Sequence, residues 1–461
     1  MKYEQWKTEQ HTQKNKKEAV EKKIKKSLLY SVFDGSFHSA MVGFGESFFS
    51  AFAVFLKAST TQIGLLGSLP QTLGSLSQLL SSYFIRLFKS RKNFLCTAVL
   101  LQALLYIPIA LVFFFGDFRV YHLILFIGLY FIFGMIASPA WSSWMGDLVS
   151  ADGRGAYFGK RNTIAGFVSF FSLLTAGYVL QHFSTNSNLQ YLGFVLIFLL
   201  AFVFRMISFS FLVRKYEPSY TEISSQQIHF FDFIRGLTSR NYGLFMIFRS
   251  VMNFSVYIAS PFFAAYMLYD LQLDYLHYTL LIASSILSKY ISMPVWGKAA
   301  DRYGTKKVLT LAGFLMPAVS LFWLVSGNWF YLIFVQAYSG FVWAGFEIAS
   351  FNFLFETIIP QKRASYIAYY NVLNGIALFL GATLGGLIAK HNQIFLSGYL
   401  FVFLLSGIFR YLTSFAFIPS LQEVRFVDKI TYPRLFMHVV TTMTTRGLVY
   451  EAVTFLKKKK N

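Results

Sequence analysis

Apolar runs long enough to cross a bilayer, separated by charged breaks, dominate this chain. They fall near 36–56, 62–84, 93–116, 120–144, 162–183 and 190–213, and again near 242–268, 276–297, 308–327, 330–355, 366–389 and 394–418. A spanning helix needs roughly 20 such residues. The pattern therefore predicts an all-α polytopic membrane protein of about twelve transmembrane helices, in two six-helix pseudo-repeats. The implied organisation is a basic cytoplasmic segment (1–35), an N-terminal half (36–213), a cytoplasmic linker (214–241), a C-terminal half (242–418) and a basic cytoplasmic tail (419–461).

Composition agrees with this class. Only 13% of the 461 residues are charged, against about 25% in soluble domains. The net charge of +21 is not a nucleic-acid footprint, because the basic residues sit at the termini and in the connections, where they set topology. With the N-terminus cytoplasmic, the outer loops carry only Lys57, Arg119 and Lys390, and most of the 41 basic residues lie inside. Both termini are expected in the cytoplasm of a bacterial inner membrane. The polar, lysine-rich first 27 residues do not read as a signal peptide. The single cysteine, Cys96, permits neither a disulfide framework nor a zinc site, and no cofactor or metal is expected.

Two polar segments read as interfacial. The stretch from His229 to Leu237 carries a Phe-rich face suited to the membrane surface. Residues 435–456 are long enough to span, but Arg446, Glu451 and five threonines oppose insertion. The tail ends in Lys457 to Lys460, a cluster that can attract anionic lipid.

The two halves match one another. The segment from Asp147 to Gly166 aligns without a gap to that from Glu356 to Gly375. Arg154 falls on Arg363, Tyr157 on Tyr366, Asn162 on Asn371 and Gly166 on Gly375. Phe204-Arg205 likewise corresponds to Phe409-Arg410. Six-helix halves repeated in tandem are a transporter architecture.

The connection after the eighth span reads GKAADRYGTKK. Gly297, Asp301, Arg302, Gly304, Lys306 and Lys307 fall on the pattern G-x-x-x-D-R-x-G-x-[KR]-[KR], and the chain here resembles the major facilitator superfamily. The glycines would serve close packing and a tight turn. The first-half counterpart, Ile85 to Asn93, keeps the positive charge and lacks the Asp and the glycines. Asp147/Arg154 and Glu356/Arg363 resemble the acid-x6-Arg motif of sugar porters, which implies a cytoplasmic gate of ion pairs. A simpler role, anchoring helix ends at the interface, stands beside it.

Charge within the bilayer is costly and usually functional. Glu46 lies mid-span in the first helix. Arg249 and Glu347 each lie about eight residues, roughly 12 Å, from the cytoplasmic end of their spans, so they are expected to pair. The resemblance implies that helices one, four, seven and ten line the cavity. Glu46 and Glu347 are thus candidates for proton coupling, since a desolvated carboxylate can load and release a proton. The alternative is a static Arg249–Glu347 pair and a Glu46 merely solvated by the cavity. Asn253, Tyr257, Trp343 and Asn352 are candidate substrate contacts. Arg205, Lys289 and Arg410 are read as snorkelling to the surface. Gly381, Gly385 and Gly386 read as helix packing.

These features point to a monomeric secondary transporter of a small solute working by alternating access, with proton coupling as an open part of that reading. Its partners would be the solute, protons and membrane lipid. No phosphate-binding loop suggests ATP drive, and the fifth span lacks the Gly-Pro-rich pattern of many drug/proton antiporters, which lowers the drug-efflux reading. A transporter-like sensor without flux is the main alternative. An intramembrane enzyme finds only His38 and His122, near span ends and without an acidic partner, so no enzyme is expected.

Overall fold

In the computed structural model, the residues described are 2–149, 154–186, 189–218, 233–235, 237, 240–358, 363–393, 397–428 and 430–442. Side chains are described for these except in 2–17, 154–156 and 363–365. Every expected span is helical. The long helices are Lys2–Phe44, Thr60–Ser77, Arg91–Leu104, Arg119–Ile136, Arg154–Ser184 and Gln190–Arg214, then Asn241–Tyr257, Tyr275–Tyr303, Thr305–Phe322, Trp329–Thr357, Arg363–His391 and Gly398–Phe417. They are called here the first to the twelfth helix. Short helical pieces extend several of them. Among the described residues, nine helical segments meet a strict criterion of length and apolarity for crossing a membrane. The first, second and eighth spans fall outside that criterion.

The first helix runs unbroken across the expected start of its span at residue 36. Ser27, Ser31 and Asp34 are buried on it. It breaks at Gly45, and a 3-10 turn, Glu46–Phe48, precedes the continuation Phe49–Phe55. A Cβ on Gly45 would stand 2.5 Å from the Tyr106 ring, so the tyrosine occupies the space where the helix turns aside. Mid-helix 3-10 stretches often mark functional positions.

The chain forms two compact units, 1–49 with 73–223 and 50–72 with 224–461. In the first unit the first helix packs on the fifth and sixth, and the third on the fourth and sixth. In the second unit the seventh packs on the eleventh and twelfth, and the ninth on the tenth and twelfth. This is the same pattern moved along by six helices, which gives the sequence repeat a structural counterpart.

The second unit takes in residues 50–72, which hold the end of the first span, the loop after it and most of the second helix. They are held there by polar contacts: Thr72 Oγ1 donates to the Gly375 carbonyl at 2.7 Å, Gln71 Oε1 accepts from Tyr257 at 2.7 Å, and the Val54 carbonyl accepts from Tyr269 at 2.7 Å. Gly381 and Gly385 do serve helix packing. Their Cβ atoms would stand 2.3 Å and 2.1 Å from the carbonyls of Phe254 and Ile258 on the seventh helix and just beyond it.

Two surface expectations meet the structure only in part. Most of 229–237 lies outside the described residues, and its Phe233 is fully buried against Tyr366 and Tyr369 rather than facing lipid. In the tail, Tyr432–Thr442 is helical, with Leu435 and Val439 buried. Lys457 to Lys460 lie outside the described residues.

Candidate functional site

The first unit holds a buried polar network. Arg205, on the sixth helix, is 6% exposed. Its Nη2 donates to Gln102 Oε1 at 2.6 Å, and its Nη1 lies 2.9 Å from His38 Nδ1 and 3.2 Å from Ser208 Oγ. Ser208 in turn donates to Asp34 Oδ1 at 2.8 Å, and Lys215 Nζ stands 3.8 Å from Asp34 Oδ2. Burial pushes the Lys215 ammonium below its ordinary pKa, and Asp34 opposes that shift. Arg205 therefore does not snorkel; it is a hub inside the bundle. Asp34 was hidden from the sequence reading because it precedes the first apolar run.

Glu46 sits at the break of the first helix and accepts from Tyr130 at 3.0 Å. Tyr130 and Tyr106 stack edge to face, and both hydroxyls approach the Met41 sulfur. Glu46 is thus partly buried beside a neutral donor. A carboxylate held by one hydroxyl keeps acceptor capacity for a proton.

In the second unit the expected Arg249–Glu347 pair is absent. Glu347 Oε2 lies 2.6 Å from Lys289 Nζ on the eighth helix. The reason is packing. A Cβ on Gly340 would stand 2.0 Å from the Ser285 carbonyl, so the eighth and tenth helices nearly touch there, and one turn on from Ser285 the lysine meets the acid. Arg249 instead lies 4.6 Å over the Phe346 ring, with Tyr370 close by. Among the described residues its buried Nη1 has no hydrogen-bond partner.

Asn253 donates to Asn374 Oδ1, and Tyr257 donates to Gln71. Trp343 meets Phe346 edge to face, and Asn352 is half-buried. Arg410 is 2% exposed and reaches the Val256 carbonyl at 3.5 Å, so it does not snorkel either.

At the basic ends of the helices, Asp147 pairs with Arg91 Nη1 at 2.7 Å, and Glu356 pairs with Arg425 Nε at 3.1 Å while accepting from Thr305 at 2.9 Å. The partner cations thus come from the third helix in one half and from beyond the twelfth in the other. The Arg154 and Arg363 side chains lie outside the described residues.

Two acids missed in the sequence complete these clusters. Glu217 accepts from the backbone N–H groups of Arg91 and Lys92 and from Ser90 Oγ. Glu423 accepts from the Lys306 N–H at 2.8 Å. Each carboxylate caps a helix N-terminus, where unpaired donors and the helix dipole favour negative charge. Their near-equivalent positions after Arg205 and Arg410 were the available signal.

The signature loop divides. Gly304 has φ +101°, which favours glycine, and a Cβ there would stand 2.4 Å from Glu423 Oε2. Gly297 needs no such smallness, since its Cβ would meet only Ile348 Cδ1, at 3.7 Å. The expectation of close packing at Gly297 is corrected accordingly. Asp301 and Arg302 are exposed, Arg302 lies 3.3 Å from Asp428 Oδ2, and Lys307 is half-buried.

The family model of the Major Facilitator Superfamily matches residues 244–425. The chain is similar to the multi-drug resistance efflux pump PmrA of Streptococcus pneumoniae, at 29% identity over 144 residues. That match covers 31% of this chain and 35% of the pump, so the chain spans about a third of the length of the curated relatives it matches.

Among solved structures, the nucleoside transporter NupG superposes with TM-score 0.65 at 14% identity, over 86% of this chain and 98% of the other. A bacterial homologue of the iron transporter ferroportin, in an inward-facing state, gives 0.64 at 14%, over 86% and 98%. The xylose transporter XylE from E. coli gives 0.61 at 13%, over 88% and 98%. Across most of its length this membrane protein shares the fold of these solved transporters, and residues 244–425 match the model of the Major Facilitator Superfamily.

Proposed function

We propose that the protein is a secondary transporter of a small solute, a carrier rather than an enzyme, lying in a bacterial inner membrane with both termini in the cytoplasm. The observation that carries this reading is Glu46: an acid within a span, at a break in its helix, held by a single tyrosine hydroxyl. Such a group can exchange a proton with little rearrangement. Glu347, tied to Lys289, is the second coupling candidate, because a solute or proton that engages either partner breaks the ion pair.

The gate is assigned to the clusters around Asp147 and Glu356, together with Arg154, Arg363 and the loop Gly297 to Lys307. Ion pairs of this kind can break and re-form between two arrangements of a protein.

In proteoliposomes, Glu46→Gln and Glu347→Gln are each expected to abolish accumulation driven by a pH gradient while leaving folded yield intact. Wild-type accumulation in both variants would remove them as coupling residues. Solute binding without flux in the native chain would leave the sensor reading. Export is a second reading within transport, favoured by the similarity to PmrA. Loss of ethidium from loaded cells that depends on this protein would support it.

A further inference from the structure

We propose that Arg249 is the seat for an anionic group on the transported solute, a carboxylate or phosphate; the inference rests on the transport reading above. Arg249, Asn253 and Tyr257 recur at every fourth residue and so share one stripe of the seventh helix. Asn253 is closed by Asn374 and Tyr257 by Gln71. The third position is left open: Arg249 has Tyr370 beside it and the Phe346 face, and among the described residues its buried Nη1 has no hydrogen-bond partner.

Charge bookkeeping shows the same gap. Among the described residues, the interior of the seventh to twelfth helices holds the cations Arg249, Lys289 and Arg410 and one carboxylate, Glu347, which Lys289 already engages at 2.6 Å. A guanidinium cannot shed its proton to escape burial. A ring face and a hydroxyl compensate it only in part. Its planar fork matches carboxylate and phosphate oxygens. Arg410 is sealed at 2% exposure, whereas Arg249 is only partly buried, against Phe346 and beside the half-buried Tyr370. An incoming anion would meet Arg249.

The test uses the full chain in phosphatidylcholine nanodiscs and reads the thermal unfolding midpoint at fixed ionic strength. The probes are matched pairs: benzoate and benzamide, lactate and lactamide, glucose 6-phosphate and glucose. The expected result is that an acid raises the midpoint by several degrees and its neutral twin does not. That rise should vanish in Arg249→Gln and persist in Arg410→Gln. A panel in which no acid outperforms its twin overturns the proposal, as does a rise that survives Arg249→Gln.

Without ligand, Arg249→Met should leave the midpoint unchanged or higher. A fall of several degrees would mark the guanidinium as a structural partner of Phe346 and overturn the assignment. If phosphatidylglycerol in the nanodisc reproduces the stabilisation while the soluble acids do nothing, a lipid headgroup is the occupant and the solute assignment fails. Arg249-dependent acid binding without flux would sink transport and leave the anion seat. Flux of a neutral solute unchanged in Arg249→Met would leave transport and sink the seat.

Discussion

The two halves share a helix-packing pattern and differ in how they treat buried charge. In the first unit Arg205 is surrounded by Gln102, His38 and Ser208, and Asp34 lies one hydrogen bond beyond, with Lys215 on its far side. In the second, among the described residues, the equivalent Arg410 has one long bond to a carbonyl and no acid, and Arg249 likewise has no acid. The repeat thus preserved the arginine while its surroundings diverged. A network that includes an acid specifies structure, whereas a buried cation without one leaves binding capacity for something from outside.

The largest expected effect tests this contrast directly. Arg205→Met strips the network of its hub, and each buried polar group left unpaired, Gln102 Oε1 first, costs about 1–3 kcal/mol. Arg410→Met leaves no acid behind and should be close to neutral or stabilising. Thermal unfolding in nanodiscs measures both, and equal losses would break the comparison.

A second contrast lies at the start of the third helix of each half. Ser90 caps one helix with extended backbone at φ −156°, accepting from the Asn93 N–H. Gly304 begins the other at φ +101° under Glu423. Gly304→Ala should cost about 1–3 kcal/mol through backbone strain and displace the Glu423 carboxylate from Lys306. Ser90→Ala should cost about 1 kcal/mol, the usual loss for a cap. Denaturation midpoints for the pair sharpen the comparison, and a Gly304→Ala variant as stable as the parent would refute the strain argument. The smallest effect belongs to Arg302→Ala. Its pair with Asp428 is 65% exposed on both sides, so stability should change by at most about 1 kcal/mol. A larger loss in the same assay would assign that exposed loop a structural role.

Much of the fold was legible in the chain because hydropathy and helix length are local properties. The spans and the glycine of the signature loop at Gly304 follow from residues near one another in sequence, and the duplication follows from comparing two such stretches. The partners of the charged groups were not legible. Depth along a helix suggested Arg249 for Glu347, yet depth says nothing about which neighbouring helix an acid faces. The close approach at Gly340 delivered Lys289 instead.

The same applies to Asp147 with Arg91, Glu356 with Arg425, and the caps from Glu217 and Glu423. By itself the sequence determined a membrane-spanning all-α chain with a duplicated plan and a few charges placed where lipid would exclude them. Only the tertiary structure decided which of those charges are answered. Coulombic and hydrogen-bonding partners must come within about 3–4 Å, and the packing of helices distant in sequence sets that distance.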